Sequence, residues 1–179
     1  MHSQIDADLS PVLEALVYAG RVHNGQRRRD APGSPHLKHV IQVVSLLAGA
    51  GVNDVVILTA AAVHDVLRDT EVKVEELQEQ FGAEIAGLVE ELSADSVLSR
   101  IDRREELPQR VRDFSGSAQL IKLAEKISNL RDLAEHAPIG WSRQRRRDYF
   151  DWAEGVTRPL RGNSSTLDSL LDEALKLRP

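Results

Sequence analysis

The chain has 179 residues, with 23 Lys and Arg against 28 Asp and Glu, for a net charge of −5. An apolar fraction of 41% is enough to build a core, which excludes a chain too polar to fold, and the acidic balance argues against a nucleic-acid partner, which wants a basic face. There is no cysteine, so disulfides, zinc–thiolate sites and cysteine nucleophiles are excluded, and any metal must be held by His, Asp, Glu or backbone oxygen.

At a soft ~150 residues per domain, the length predicts one domain spanning 1–179. The most apolar run, 55–63, contains Thr59 and is too short to cross a membrane, which takes ~18 residues or more. Residues 1–10 lack a basic region followed by a long apolar core, so no secretory signal is read there. These features predict a cytoplasmic protein with no membrane partner. Aromatic residues make up only 4%, so the core must be built from Leu, Ile, Val and Ala, which favours helices over packed strands.

In chain order, Ser10 as N-cap and Pro11 in the first turn open a helix whose apolar positions are Leu9, Val12, Leu13, Leu16 and Val17, with Gly25 closing it. Arg27 to Pro35 reads as a loop. A second helix starts near Pro35, carries Leu37, Val40, Ile41, Val44 and Leu47, and ends at Gly49 and Gly51. Asn53 caps a third, from Asp54 to about Val66, that is apolar almost all round and so should be the buried centre. Short helices follow at Val74–Phe81, stopped by Gly82, and Ala83–Leu92. The charged stretch Ser93–Ser117 reads as a helix with loose ends, anchored by Ile101, Leu107, Val111 and Phe114. A long helix covers Ala118–His136 until Pro138–Ile139–Gly140 breaks it. Ser142 caps the next, which carries Tyr149, Phe150, Trp152, Val156 and Leu160. A last helix from Ser165 or Thr166 carries Leu167, Leu170, Leu171 and Leu175. No segment shows a period-2 strand, so the predicted fold is an all-α bundle of eight to ten helices.

The strongest chemical signal is His64–Asp65, two ionisable groups at the end of the most apolar helix. Such groups need satisfying, and imidazole with carboxylate suits a divalent Mn, Fe or Zn ion. The bland alternative is a satisfied core histidine beside a capping aspartate. His39 on the second helix lies off its apolar stripe. On the long helix Lys122, Glu125, Asn129 and Asp132 share one face, which reads either as solvated or as facing a cleft. Trp141 and Trp152 read as core residues.

A set of motifs runs in order along the chain: His23 with Gln26–Arg27–Arg28–Arg29, Gly33–Ser34–Pro35 leading to His39, Ala60–Ala61 before His64–Asp65, Asp69–Thr70 and Phe81–Gly82–Ala83. Lys122–Leu123–Ala124, Asn129 to Leu133, Gly140–Trp141–Ser142, Tyr149–Phe150 and Trp152–Ala153 complete it. Taken together, from about Ala19 to Leu175, these motifs resemble the HD-domain phosphohydrolases, and within them the alarmone hydrolases of the RelA/SpoT type, especially the small stand-alone metazoan SpoT homologues.

The resemblance implies an all-helical domain with one divalent cation, usually Mn²⁺, and removal of the 3′-pyrophosphate from guanosine tetra- or pentaphosphate, (p)ppGpp. Related small enzymes also dephosphorylate NADPH. It implies metal ligands at His39, His64, Asp65 and Glu125, where the family has Asp at the last position. It places Arg28 against guanine and Arg29 near phosphate, with Asn129 and Tyr149 lining the nucleotide pocket. Lys122 and the Arg143, Arg145, Arg146, Arg147 cluster would add positive potential for an anionic ligand. Two departures stand out. Arg68–Asp69 replaces the family's Glu–Asp, whose Glu activates water, so Asp69 is the carboxylate left for that task and Arg68 is placed either to oppose the metal or to clamp phosphate. His36 stands where the family has Tyr. These departures leave a second reading open, a catalytically degenerate nucleotide-binding or regulatory protein. A second domain for alarmone synthesis has no room in this length.

Overall fold

Serines and one aspartate set the helix starts. Ser115, Ser142 and Ser164 each accept a backbone N–H from the residue three positions on, and Asp54 accepts those of Val56 and Ile57, each cap contributing about 1 kcal/mol. The computed structural model describes residues 8–30, 32–93 and 100–179, apart from the side chains of Arg100, Ile101 and Arg103. Its helices are α1 (Ser10–Val22), α2 (His36–Gly49), α3 (Val55–Ala62), α4 (Val66–Asp69), α5 (Val74–Phe81), α6 (Ala83–Ser93), α7 (Arg100–Arg110), α8 (Gly116–Glu135), α9 (Arg143–Thr157) and α10 (Ser165–Leu175), with a 3₁₀ turn at Arg158–Leu160. Among the described residues there is no strand, only one antiparallel bridge between Arg27 and Pro35. The fold is all-α, as the composition predicts.

The apolar third helix is the centre of the bundle. α3 packs against α1, α2, α6 and α8, and Ile57 to Ala62 are all buried. It shows no amphipathic period because every side has a neighbour. Around it, Leu47, Leu58, Ile121, Leu123, Ile127, Leu130, Phe150 and Leu160 are buried, each of the large side chains contributing roughly 2 kcal/mol by leaving water.

Several expectations are corrected. The third helix does not run to Val66. It stops at Ala62, and residues 63–65 form a turn before α4. The reason is local: His64 Nδ1 lies 2.7 Å from the carbonyl of Ala61, which a continuing helix would give to the amide of residue 65. Asp54, not Asn53, is its cap. In α1 the cap is not Ser10, whose amide donates to Asp8 Oδ1 at 2.9 Å. The buried face is Val12, Ala15, Tyr18 and Ala19, whereas Leu13 and Val17 are exposed. The small Ala15 and Ala19 let α1 approach α3 closely, leaving Leu13 and Val17 on the far side. α9 ends at Thr157, ahead of Pro159 in the 3₁₀ turn, rather than continuing to Leu160. Within the charged stretch, α7 is a helix with Pro108 inside it, and Leu107 and Val111 are buried. Positions 94–99 and the Ile101 anchor lie outside the described residues.

Candidate metal centre and adjoining cleft

The turn at 63–65 aims two consecutive side chains at one point. α2 crosses both α3 and α8, which brings His39 to the same place. Ligand atoms of His39, His64 and Asp65 lie within 4.8 Å of one another, and all three residues are buried. The Nε2 atoms of His64 and His39 lie 3.2 and 3.8 Å from Asp65 Oδ2.

Each histidine is held from behind. His64 Nδ1–H donates to the Ala61 carbonyl, and the Nε2 atom then has no hydrogen-bond partner. His39 Nδ1 lies 3.0 Å from Ser128 Oγ. The Ser128 hydroxyl donates to Gln42 Oε1 at 3.4 Å, so it accepts from His39 and leaves Nε2 of that ring bare. These bonds from behind turn the Nε2 atoms of both rings toward Asp65 Oδ2. Acceptors that converge in a dry site repel unless a proton or a cation lies between them. The donor set of two imidazoles and one carboxylate, each oriented from behind, fits a divalent metal.

Burial dominates the titration of His39 and holds it well below the usual imidazole range, in the neutral form that binds metal. Burial opposes charge on His64 as well, but Asp65 and Glu125 outweigh it and raise that ring. Asp65 is held well below the carboxylate range, because Arg68, His64 and His36 overcome its burial.

Glu125 is not part of this close group among the described residues. Its oxygens are taken by Lys122 at 2.8 Å and Lys126 at 3.0 Å, both buried, and Asn129 Nδ2 donates to it at 3.3 Å. Burial would raise its carboxyl, yet the two lysines and Arg68 hold it well below the usual range. The predicted polar face of the long helix therefore divides: Lys122 and Glu125 are sealed in an ion cluster, whereas Asn129 and Asp132 face the adjoining cleft. Lys122 is buried in this ion cluster and does not line the cleft.

Arg68 grips the rim of the centre. Its guanidinium bonds Asp65 Oδ1 through Nη2 and spans Asp69 through Nη2 at 3.0 Å and Nε at 3.1 Å. His36 lies 3.1 Å from Asp65 Oδ2 and stacks on His23 with ring centroids 4.4 Å apart. His36, Asp65 and Asp69 form a second close group of ligand atoms, on the side where Arg68 sits.

Beside the centre lies an open cleft of about 300 Å³ lined by Arg28, Arg29, His36, Asn129, His136, Trp141 and Tyr149, among others. Arg28 is fixed by Asn129 Oδ1 at 2.8 Å and Asp132 Oδ2 at 3.2 Å. Its loop is closed by the amide of Arg28 donating to Ser34 O at 2.8 Å, and Gly33 takes a positive φ of 63° within it. The cleft thus contains Arg28, Arg29, Asn129 and Tyr149 from the sequence reading. Trp141 corrects it: the ring is half-buried in the cleft wall with the Arg145 guanidinium 4.4 Å from its centroid, because the Gly140 break leaves it at the mouth rather than inside. Trp152 is also only half-buried. Its Nε1–H donates to the Arg104 carbonyl at 2.8 Å, and Lys126 Nζ lies 4.8 Å from its ring. Arg143 and Arg147 are exposed on α9 outside the cleft lining, and Arg146 is half-buried there.

Sequence reasoning missed Ser128, Lys126 and His136. Ser128 sits three residues after Glu125, on the side of α8 toward His39, and that offset was the available signal. No helix of the described residues is long and apolar enough to cross a membrane.

With this geometry in view, the comparisons with known proteins are specific. The HD domain family model matches residues 15–149. The human guanosine-3′,5′-bis(diphosphate) 3′-pyrophosphohydrolase MESH1 is 38% identical over 96% of this chain and 97% of its own length. The Drosophila melanogaster enzyme of the same name is 40% identical over 93% of each chain. A solved structure described as a metazoan orthologue of SpoT that hydrolyses ppGpp superposes with a TM-score of 0.90 at 39% identity, covering 94% of this chain and 96% of that one. The chain belongs to the HD domain family, among the small helical proteins that resemble it over nearly their full length.

Proposed function

We propose that the protein is a metal-dependent hydrolase that removes the 3′-pyrophosphate of guanosine 3′,5′-bis(diphosphate). The observation that carries the reading is the convergence of the His39 and His64 Nε2 atoms, each ring held from behind, on buried Asp65 beside a cationic, aromatic-walled cleft. His39, His64 and Asp65 would hold the divalent cation, which we take to be Mn²⁺, with Glu125 lending its charge to both imidazoles from behind its lysines. When bound, that ion supplies Lewis-acid chemistry, drawing charge from a phosphoryl oxygen and acidifying water.

The remaining tasks fall to the chain's own side chains. Arg28 is pre-organised by Asn129 and Asp132, so it meets the nucleotide without losing rotamer freedom. Trp141 and Tyr149 offer ring faces for the purine, and Arg29 sits exposed at the mouth for phosphate. In the reaction, water is split across the ester linking the 3′ oxygen to the pyrophosphate. The hydroxyl goes to phosphorus and a proton to the 3′ oxygen, giving pyrophosphate with GDP from the tetraphosphate, or with GTP from the pentaphosphate. Asp69 is the carboxylate positioned to take the water's proton once Arg68 releases it.

The direct test incubates Mn²⁺-loaded protein with guanosine tetraphosphate and separates products by anion exchange. Equal amounts of GDP and pyrophosphate are expected, and inorganic phosphate in their place would contradict the regiochemistry. The grip of Arg68 on Asp65 and the occupation of Glu125 by lysines favour one second reading, a nucleotide-binding protein without turnover. Under that reading the tetraphosphate binds and stays intact.

A further inference from the structure

Two groups of potential ligand atoms share Asp65. One is His39–His64–Asp65 and the other His36–Asp65–Asp69. The second already contains a cation belonging to the chain. The Arg68 guanidinium bonds Asp65 and chelates Asp69 with Nη2 and Nε. This arm leaves α4 only three residues after Asp65, and its side chain keeps 22% exposure, so it can turn outward without disturbing the core. His36, which donates to the other oxygen of Asp65, also lines the cleft. The cleft therefore abuts Asp65 through one side chain, His36.

We infer that Arg68 is a tethered cation that occupies Asp65 and Asp69 until a metal ion and a phosphate dianion arrive, so that the two ligands bind with positive coupling. The inference rests on the metal-site reading proposed above. The two cations compete for one carboxylate. A divalent ion on Asp65 faces a guanidinium on the same carboxylate, and like charges a few ångström apart in a site screened from water repel strongly. A phosphate or sulfate dianion offers the guanidinium fork a planar, two-pronged partner equivalent to the carboxylate it leaves. Taking Arg68 away from Asp65 restores that oxygen to the metal. Linkage then requires that the metal raise anion affinity by the same factor. Arg68 acts here as a positioning and gating residue, distinct from the ligands.

The test titrates the metal-free protein with Co²⁺, followed by its visible absorption, with and without sulfate at constant ionic strength. The same series is run on Arg68→Gln, and on Arg68→Lys, which keeps a charge without the fork. Wild type should bind Co²⁺ several-fold more tightly in sulfate. Arg68→Gln should bind it at least about tenfold more tightly than wild type without sulfate, by loss of the like charge, and should lose the sulfate effect. Arg68→Lys should stay closer to wild type in affinity than Arg68→Gln does. If Arg68→Gln binds Co²⁺ no more tightly than wild type, or keeps the full sulfate effect, the inference is overturned while the metal site stands. Absence of Co²⁺ binding by wild type and both variants overturns the metal site and the inference together.

Discussion

Two buried carboxylates lie close together and are treated in opposite ways. Glu125 on α8 is ion-paired within its own helix, with Lys122 2.8 Å from Oε2 and with Lys126 and Asn129 donating to Oε1. Asp65, on the turn between α3 and α4, faces histidines whose outer nitrogens are already used, and among the described residues its one arginine or lysine partner is the partly exposed arm of Arg68. A carboxylate met by two buried lysines of its own helix is a structural element, whereas one held by a single partly exposed arginine beside two imidazoles is the one we propose exchanges that partner for a metal ion.

The comparison breaks most sharply at His64. His64→Ala should abolish stoichiometric metal binding, measured by elemental analysis, and lower pyrophosphate release on the order of 10³-fold, as loss of several kcal/mol of charge stabilisation requires. The variant should still fold, at some cost in stability, because the ring is buried and its Nδ1–H holds the Ala61 carbonyl. Glu125→Gln should act the other way on metal binding. It strands two buried ammonium groups and should cost about 3 kcal/mol of stability in urea unfolding, while the Asp65 group keeps measurable metal affinity. A stable Glu125→Gln protein that no longer binds metal would invert the assignment.

At the cleft, Trp141→Ala should raise KM for the tetraphosphate about tenfold with a smaller change in kcat, since base stacking is worth roughly 1–3 kcal/mol. A fall in kcat alone would move Trp141 from binding to catalysis. The smallest effect concerns acid. Glu125 is depressed in the folded state, so its contribution to stability is complete above the unfolded carboxyl value of about 4 and is lost as pH falls through the lower folded value. Urea midpoints should therefore drop below about pH 4 in the wild type, and Glu125→Gln should flatten that part of the profile.

Much of the bundle is legible in the sequence because it depends on local signals. The serine at 142, the glycine at 82 with its φ of 89°, and the apolar run of α3 each specify a boundary or a buried face on their own. The turn at 63–65 is not legible that way. It comes from His64 taking the Ala61 carbonyl, a choice that only a packed environment makes worthwhile. The exposed Leu13 and Val17 escape a periodicity argument for a related reason, since Ala15 and Ala19 set the contact by their smallness. His39, His64 and Asp65 could be singled out as ionisable groups among apolar neighbours. The fate of Glu125 could not, because its spacing with Lys122 fits a solvated pair as well as a buried one, and only the crowding of α8 by α2, α6 and α10 decides.

The central claim is that the two imidazoles and Asp65, not Glu125 or the Asp65–Asp69 edge, hold the metal. The most direct measurement is an anomalous difference map from crystals soaked in Mn²⁺. The account predicts one peak within bonding distance of His39 Nε2, His64 Nε2 and Asp65, with Glu125 still on its lysines. A peak between Asp65 and Asp69, or none at saturating Mn²⁺, would contradict it.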